Sequence, residues 1–406
     1  MPETNRKLRI LCCPANHGGC AYYRILMPMQ KLAEKCADKV EIRFDDNPLG
    51  VDDKIKGIPE DFSYENMNWA DIVFTHNIHT RGGPYTMEIV RKADELGKFT
   101  HYDTDDLLTD LYTGHRLYDV YKEQKLEEFT KVIYQHADLV SVTQSKFAER
   151  IKPFVSKALV VIKNAIDFDL PCWNHRWEPA PTKKLTRFGW VGGIHHEEDV
   201  KEFRSVVLGM NSKNGVENLR WTFHGRPPLQ KGEKGDWQQD VWNNYEKYLM
   251  HGVHPRQRKN IFFGRALNGG EYGVMFRDMD VSLAPLQMNN FNDSKSDIKL
   301  MECGRYGIPL VATDVGCYSE NIINGETGFL IPPDNPREEW VKKLTLLHKD
   351  KKLRKEMGEN LRQIVNEKFD VNKHVAERYH LYRQLMSYKD QAMKQRKKDE
   401  QSNSNS

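Results

Sequence analysis

Two lysines at the start of a predicted helix form the strongest chemical signal in this sequence. Lys295 and Lys299 are four residues apart, and the apolar spacing that follows predicts a helix over residues 296–306. The first turn of a helix has N–H groups without intrahelical partners, so ammonium groups there favour binding of a diphosphate, to which Ser296 could also donate. Glu302 follows Lys299 by three residues, and its carboxylate could accept hydrogen bonds from a ribose diol. The same spacing is also typical of a surface helix with a Lys–Glu pair.

Three carboxylates and two histidines near the ends of two predicted strands form a second cluster. These residues are His76, His101, Asp103, Asp105 and Asp106. Carboxylates at the carboxyl end of a parallel strand face the ligand cleft, where they can orient an acceptor hydroxyl or accept its proton. Either histidine could instead hydrogen-bond a sugar. The D-x-D spacing is also typical of a Mg²⁺ or Mn²⁺ site.

A glycine pair follows the first predicted strand. Gly18 and Gly19 lack Cβ atoms, so backbone N–H groups there can approach an anion or a sugar donor closely, although most such pairs are simply turns. Tyr23 and Arg24 come about one turn later, and we expect them on the acceptor side of the site. Arg24 is compatible both with binding a phosphate or an acceptor carboxylate and with an ordinary surface charge.

Short apolar runs alternate with longer amphipathic stretches, which predicts parallel sheets covered by helices. The predicted strands cover residues 8–13, 40–44, 71–76, 98–103, 138–143, 159–162, 187–191, 221–224, 261–264, 281–285, 310–312 and 328–331. The predicted helices include residues 84–96, 116–136, 197–210, 236–250, 296–306, 337–348 and 374–393. The expected fold class is therefore α/β, with two Rossmann-like, doubly wound domains facing each other across a cleft.

A segment rich in Pro and Trp separates the two predicted domains. We expect a first domain over residues 1–167, a linker over 168–184 and a second domain over 185–370. The helix predicted over about 374–393 has no strand partner of its own, and we expect it to pack back on the first domain. Residues 394–406 are charged and then rich in Ser and Asn, which predicts a disordered tail.

The composition describes a globular protein without a strong charge. Of the 406 residues, 39% are hydrophobic and 29% are charged, and the net charge of +3 argues for no particular polyanionic partner. The seven cysteines are scattered and include no C-x-x-C pair, which indicates reduced thiols rather than disulfides or a zinc site. No apolar run approaches the roughly 20 residues that span a bilayer, and none resembles a signal peptide. We therefore expect a cytoplasmic protein.

The segment over residues 292–330 resembles the nucleotide-sugar site of retaining GT-B glycosyltransferases of family 4. In that family a helix carries two glutamates seven residues apart, followed by G-x-P-V-V-A and then G-x-x-G-x-L. This sequence has Glu302 as the second glutamate, GIPLVATDVG after it and NGETGFL at its end. Ser294 stands where the family has its first glutamate. The resemblance implies that Lys295, Ser296 and Lys299 bind the diphosphate of a sugar donor.

Four other regions are similar to the same family. VIKNAID at 161–167 resembles the end of the first domain, and ANHGGCAYYR at 15–24 resembles the Gly-rich loop after the first strand. FGWVGGIHHEED at 188–199 holds Gly192, Gly193 and His195 where the family has a diphosphate contact. RWTFHG and NIFFGR resemble the strands beside the nucleotide base, which implies that His224 and Arg265 lie near the base.

The resemblance implies a glycosyltransferase that moves a sugar from a nucleotide-diphosphate sugar to an acceptor hydroxyl with retention. The second domain would bind the donor and the first the acceptor, with Tyr23, Arg24 and His76 on the acceptor side. The catalytic candidates are His101, Asp103, Asp105, Asp106 and Lys299. The acceptor remains open between a glycan, a lipid, a small molecule and modified DNA. No cofactor or metal is expected, because basic side chains and helix dipoles generally neutralise the leaving diphosphate in GT-B enzymes.

Two other functions remain compatible with the sequence. A phage-type glycosyltransferase acting on a modified DNA base would suit the basic cluster at 394–398, although the basic residues form no obvious stripe. A non-catalytic nucleotide-sugar-binding protein would suit Ser294 and the absence of the family's usual Arg and Lys after the first strand of the second domain. A dehydrogenase is disfavoured, because the first loop is not G-x-G-x-x-G. The oligomeric state remains open.

Overall fold

Two six-stranded sheets, all of whose strands run parallel, form the framework of the molecule. The computed structural model describes residues 6–52, 57–174, 185–212, 218–227, 237–334 and 336–404. The first sheet contains β1 (Leu8–Cys13), β2 (Val40–Phe44), β3 (Ile72–His76), β4 (Phe99–Asp103), β5 (Leu139–Val142) and β6 (Ala158–Val161), in the order β2-β1-β3-β4-β5-β6. Helices cover both faces of such a sheet, which explains why β1 is almost continuously apolar.

The second sheet repeats this topology. It contains β7 (Thr186–Val191), β8 (Leu219–Arg226), β9 (Ile261–Arg265), β10 (Val281–Ala284), β11 (Leu310–Thr313) and β12 (Gly328–Ile331), in the order β12-β11-β10-β7-β8-β9. The register pairs Ile10 with Ile72 in the first sheet and Leu283 with Trp190 in the second. The strand order reverses between β1 and β3 and again between β7 and β10, so ligands are expected beyond the carboxyl ends of these strands. The predicted α/β class with two doubly wound domains is confirmed.

Helices connect the strands and cover both sheets. They are α1 (Gly19–Ala21), α2 (Met27–Lys35), α3 (Glu65–Trp69), α4 (Gly83–Glu95), α5 (Tyr118–Glu123), α6 (Leu126–His136), α7 (Ser145–Ile151), α8 (Pro171–Asn174), α9 (Glu197–Ser212), α10 (Trp237–Met250), α11 (Pro255–Arg258), α12 (Asn290–Asp293), α13 (Ile298–Arg305), α14 (Cys317–Asn321), α15 (Pro336–Lys349), α16 (Lys351–Lys368) and α17 (Val371–Ser404). A π-helical turn (Tyr22–Leu26) joins α1 to α2, and 3₁₀ turns occupy Lys152–Phe154, Ile194–His196 and Gly269–Phe276. In the part of the chain described here, no helix is both long and apolar enough to cross a bilayer.

Several helices differ from the sequence-based expectation. The helix predicted over 116–136 is two helices, because Lys125 has a left-handed backbone with φ of 51°. The helix predicted from residue 296 begins at Ile298, with Asp297 as its N-cap. The tail predicted to be disordered is helical through Ser404; it contains neither Gly nor Pro, so nothing in its composition ends the helix. The predicted linker contains α8, and its residues 175–184 lie outside the described part of the chain.

The chain crosses between the two domains twice, and the last crossing brings α17 onto the first domain. Near the crossings, Ile166 N–H donates to the carbonyl of Phe369 at 2.8 Å, and Val371 N–H donates back to Ile166 at 3.0 Å. Helix α17 then packs on α2 and on the first sheet. Lys389 near the end of this contact reaches Asp138 at 2.6 Å. The C-terminal helix is therefore part of the first domain in space.

The docking of α17 depends on a buried hydrogen-bond chain that a single substitution can test. The Ser141 hydroxyl donates to Asp103, so its oxygen accepts a hydrogen bond from Nε2 of His101. The other ring nitrogen of His101, Nδ1, then carries no proton and accepts from the Tyr382 hydroxyl at 2.8 Å. Tyr382→Phe leaves Nδ1 unsatisfied, and we expect a loss of about 1–3 kcal/mol in the free energy of unfolding.

Urea denaturation of the Tyr382→Phe and Tyr388→Phe variants measures this loss. Tyr388 lies on the same helix but is 58% exposed, so its substitution should leave the unfolding midpoint close to that of the parent. Equal midpoints for the two variants would contradict this account of α17.

Candidate functional site

A cavity of about 470 Å³ lies between the two domains, beyond the carboxyl ends of β1, β3, β4 and β7. Both domains contribute side chains to its wall. From the first domain these include Gly19, Cys20, Tyr23, Asn77, Asp105, Asp106, His115 and Tyr121; from the second they include Gly192, Gly193, His195, His196, Gly225, Tyr272, Lys295, Ser296, Lys299 and Glu302. The cavity therefore coincides with the place that the topology of the two sheets indicates for a ligand.

Lys299 places a positive charge in this cavity without a hydrogen bond or ion pair to an anion of the described chain, and Glu302 one turn later acts on it only through its charge. The side chain lies in the first turn of α13 and is only 9% exposed. It makes no hydrogen bond and no ion pair within 4 Å with any residue that the structure describes. Burial and then repulsion by Lys295 lower the pKa of Lys299 to about 8. An ammonium group buried without a partner is costly, so this position favours an anionic ligand.

Lys295 lies beside Lys299 but reaches across the cleft. Its Nζ is 3.5 Å from Oδ1 of Asp106 and 4.5 Å from the ring centre of Phe291. Burial alone would lower the pKa of Lys295, but the carboxylates led by Asp106 raise it above its usual value. Lys295 therefore remains charged at neutral pH, and together with Ser296 it extends the positive wall begun by Lys299.

Glu302 faces the cavity one turn after Lys299 and contacts the opposite domain. It is 2% exposed, and Oε1 accepts a hydrogen bond of 2.7 Å from the Tyr23 hydroxyl. Burial raises the pKa of Glu302 to about 7, while the Tyr23 hydrogen bond and Lys299 oppose the shift. Tyr272 packs at the edge of Tyr23 with ring centres 6.2 Å apart. A hydroxyl donor from a ligand would join or replace Tyr23 on this carboxylate.

The loop before α13 is held in place by Asp293. This carboxylate accepts from Arg150 at 2.6 Å and from Lys146 at 3.1 Å, both on α7 of the first domain. It also accepts from the backbone N–H of Gly316 at 2.9 Å. Burial works against ionisation, but Lys146 and then Arg150 lower the pKa of Asp293, so it stays charged. This interdomain anchor fixes the backbone that carries Lys295 two residues later.

Gly192 and Gly193 form the loop after β7, and Gly192 has no room for a side chain, because a Cβ atom there would lie 2.2 Å from the Trp190 ring. Gly225 has φ of +136°, and a Cβ atom at this position would lie 1.8 Å from the carbonyl oxygen of Gly192. The Gly192 N–H donates to His224 at 3.0 Å, which fixes the loop against β8. Backbone of the β7 loop is thus exposed to the cavity at the N-terminal end of α9.

Two histidines from opposite domains stack across the cavity. The rings of His115 and His195 are nearly parallel, with centres 5.6 Å apart. Burial lowers the pKa of His115 to about 3 and that of His195 to about 4, so both are neutral at physiological pH. Neutral imidazoles offer both a donor and an acceptor nitrogen, which suits sugar hydroxyls. Behind them, His196 bonds Asp199 through Nδ1 at 2.8 Å.

The first-domain wall carries the carboxylates of Asp105 and Asp106. Asn77 Nδ2 donates to Asp105 Oδ1 at 3.3 Å, and His76 Nε2 lies 3.6 Å from the same oxygen. Burial alone would raise the pKa of Asp105, but the nearby imidazole of His76 lowers it below its usual value. Burial raises the pKa of Asp106, which makes Asp106 the better proton acceptor of the two.

His101 and Asp103 do not face the cavity, contrary to the sequence-based expectation. They lie two residues apart on β4, so their side chains share a face, and that face is covered by α17. Both are fully buried, and burial lowers the pKa of His101 to about 3. Asp103 instead binds Arg24 through two hydrogen bonds of 2.8 and 2.6 Å.

Arg24 is likewise absent from the cavity wall and has structural partners. Besides Asp103, it donates to the carbonyl of Ile162 at 2.6 Å and to Asn164 at 2.9 Å. The pair therefore connects the helix after β1 to the end of the first domain.

His76 is 1% exposed and lies behind Asp105, and Gly18, His224 and Arg265 are also not among the residues that line the cavity.

Sequence reasoning missed several residues of the cavity wall. His115, Asn77, Tyr121 and Tyr272 line it but lie in loops and short helices without a motif. The position of Asn77 directly after β3 is the one signal that could have indicated it. Cys20 also lines the cavity, within the glycine-rich loop that was considered only for its backbone.

Because Arg24 and Asp103 form a buried ion pair away from the cavity, we expect their substitution to lower the stability of the fold rather than to act on the cavity directly. Asp103→Ala leaves the guanidinium buried without its counter-ion, and we expect a loss of about 3–5 kcal/mol in the free energy of unfolding. Asp106→Asn removes a partly exposed ion pair and should cost less than about 1 kcal/mol. Chemical denaturation compares the two variants, and a nearly neutral Asp103→Ala would refute the structural role of the pair.

Comparison with known proteins agrees with the fold. Residues 245–364 match the family described as glycosyl transferases group 1, whereas comparison with curated protein sequences gave no match. Sucrose-phosphate synthase (tll1590) from Thermosynechococcus elongatus is similar, with a TM-score of 0.68 at 14% identity over 94% of this chain and 100% of that chain. A glycosyltransferase from Rickettsia africae has a TM-score of 0.62 at 13% identity, over 94% of this chain and 99% of that chain.

A third similar structure contains a nucleotide sugar. Anabaena Alr3699/HepE in complex with UDP-glucose has a TM-score of 0.59 at 15% identity, over 91% of this chain and 98% of that chain. These structures share the arrangement of two parallel sheets, and the family match covers the segment that contains Lys295, Lys299 and Glu302. The family match and the structural similarity together show that the chain has the two-domain fold of the GT-B glycosyltransferases.

Proposed function

We propose that the protein transfers a sugar from a nucleotide-diphosphate sugar to an acceptor hydroxyl in the interdomain cavity. The observation that carries this proposal is the unpaired ammonium of Lys299, buried beside Lys295 at the start of α13. Two adjacent positive charges with free helix N–H groups suit the two negative charges of a diphosphate. Carboxylates on the opposite wall suit the hydroxyl groups of a sugar and an acceptor.

The donor would lie along the second-domain wall. Its diphosphate would contact Lys295, Ser296 and Lys299 on one side and the Gly192–Gly193 backbone on the other. Its ribose would donate to Glu302, taking the place of the Tyr23 hydroxyl or sharing the carboxylate with it. The base would then reach toward Gly225 and Ala266, which line the far end of the cavity.

Charge development explains how this wall would accelerate transfer. As the bond between sugar and diphosphate breaks, negative charge accumulates on the leaving oxygen, and the ammonium groups stabilise it more strongly than the ground state. The acceptor proton would pass to a carboxylate of the first domain. Asp106 is the better candidate than Asp105, because burial raises the pKa of Asp106.

The acceptor would bind against the first domain, where an apolar surface accompanies the carboxylates. This surface consists of Ile78, Leu108, Leu111, Leu117 and Tyr121. A neutral or cationic acceptor with an apolar portion suits this wall better than an anionic one, since a negative charge would approach Asp105 and Asp106. We propose retention of configuration from the family resemblance, and a cytoplasmic location from the seven free thiols.

Uridine diphosphate is the first donor product to test, because the Anabaena structure contains UDP-glucose. A ligand that binds only the folded chain raises its unfolding temperature, by an amount equivalent to about 2.7 kcal/mol at a hundredfold excess over Kd. A thermal-shift comparison of UDP, GDP and ADP with their sugars would identify the base. The absence of any shift with all nucleotide diphosphates would contradict the donor site.

Replacing Lys299 tests the diphosphate contact directly. Lys299→Ala removes the unpaired charge, and we expect kcat/KM for sugar transfer to fall by about 10²–10³ because a transition-state contact is lost. Lys342→Ala, at a lysine whose side chain is 68% exposed on α15, serves as the matched control and should keep full activity. A folded Lys299→Ala enzyme with unchanged turnover would remove the diphosphate assignment.

The pH dependence of donor binding provides a second test of Lys299. Because burial lowers its pKa to about 8, the ammonium is charged below that pH and loses its proton above it. The affinity for a UDP-sugar, whose diphosphate keeps a constant charge in this range, should therefore weaken as the pH rises through about 8. Lys299→Arg keeps its charge, so its affinity should depend much less on pH. Calorimetric titrations at pH 7 and pH 9 compare the two proteins, and equal pH dependence would contradict the assignment.

A further inference from the structure

We propose that Cys20, His76, Asp105 and Asp106 form a binding site for a divalent cation of the zinc class on the first-domain wall of the cavity. The site is separate from the diphosphate contacts and does not depend on the proposed sugar transfer. It lies where the loops after β1, β3 and β4 meet, since these strands are neighbours in the first sheet.

The first observation is the convergence of three possible ligand atoms. Sγ of Cys20 and one carboxylate oxygen each from Asp105 and Asp106 all lie within 4.8 Å of one another. Cys20 follows β1 at the start of the helical segment, and the two aspartates follow β4. Cys20 is far from the two aspartates in the sequence, so the fold and not a local turn brings them together.

The second observation is independent and concerns His76. Its side chain is 1% exposed, yet neither ring nitrogen has a hydrogen-bond partner among the described residues. A buried imidazole without partners is costly, and structures usually satisfy both nitrogens. Nε2 lies 3.6 Å from Oδ1 of Asp105, which aims the ring at the carboxylate cluster.

The distance between His76 and Asp105 suits two ligands of one ion better than a hydrogen bond. At 3.6 Å the contact is longer than the 2.7–3.2 Å of an N–H···O bond. Two ligands bound tetrahedrally to Zn²⁺ at about 2.0–2.2 Å are roughly 3.4 Å apart. The observed separation therefore suits one cation between His76 and Asp105, and the His76 ring would turn toward Cys20 and Asp106 to complete the group of ligands.

The kinds of ligand determine which cation the site would take. A thiolate and an imidazole with two carboxylates suit Zn²⁺ or Co²⁺, whereas Mg²⁺ and Ca²⁺ prefer oxygen ligands alone. Lys295 lies 3.5 Å from Asp106 and balances one of the negative charges, while Asp105 has the amide of Asn77, the imidazole of His76 and the thiol of Cys20 beside it. The Asn77 amide would hydrogen-bond Asp105 from outside the coordination sphere and so orient this carboxylate as a metal ligand.

Binding would release the thiol proton of Cys20 to solvent, because the thiolate is the form that coordinates a metal. The cation would then tie together the three loops that form the acceptor wall. Its expected effects are therefore a higher unfolding temperature and a more rigid wall beside the sugar site.

Cobalt binding to the full-length protein tests the site, because a cobalt–thiolate bond gives a charge-transfer band in the near ultraviolet. We expect chelator-treated protein to acquire this band with one equivalent of Co²⁺ and to lose it when Zn²⁺ is added. Cys20→Ser should abolish the band, and His76→Gln should weaken Zn²⁺ binding by about tenfold or more in competition titrations.

Matched controls separate this site from other thiols and histidines. Cys36→Ser changes another free cysteine, and His17→Ala changes an exposed histidine of the adjacent loop; both should retain the band and the affinity. If a variant unfolds, Asp106→Asn, at a partly exposed carboxylate, gives the same test with less structural cost. No cobalt–thiolate band in the parent protein, or a band that survives Cys20→Ser, would overturn the proposal. UDP binding measured in parallel reports on the donor site alone.

Discussion

The unpaired charge of Lys299 is the constraint on which the organisation of the cavity depends. Taking an ammonium group out of water without an anion beside it is costly, and a fold keeps such a group only where another element compensates. On the proposed function the compensating element would be a bound diphosphate, between the start of α13 and the glycine loop after β7. The hydrogen bonds of Asp293 with Lys146 and Arg150 hold the loop before α13 against the first domain.

The two walls of the cavity are joined by contacts that a donor would have to compete with. Tyr23 occupies one oxygen of Glu302, and Asp106 partly neutralises Lys295. Each contact links the first domain to α13 or to the loop before it, so the side chains proposed to bind the donor also join the two walls. A donor that takes over these partners would weaken direct contacts between the domains and replace them with contacts through itself. On the proposed function, donor binding would therefore change the contacts between the domains through the same few side chains.

The alternation of apolar runs and amphipathic stretches was enough to predict every strand in the described chain, because both sheets are buried on both faces. The side chains at their ends were harder to assign. His101 and Asp103 were expected in the cleft, but α17, more than 260 residues later, covers their face of β4. Local spacing contains no information about that contact. The placement of Lys295 and Lys299 at a cavity wall could be predicted because it depends on a local feature, the start of one helix after a strand.

Ser294 shows how the missing carboxylate of the resembling family changes the balance between the two domains. Its side chain is 1% exposed and donates to the carbonyl of Asn290 at 2.8 Å, so it closes α12 and does not line the cavity. On the proposed donor pose, no acidic side chain of this loop would reach the sugar. The carboxylates nearest to it are then Asp105 and Asp106 of the first domain, together with the neutral imidazoles of His115 and His195. Recognition of the sugar would therefore require both domains, whereas the diphosphate could bind to the second domain alone.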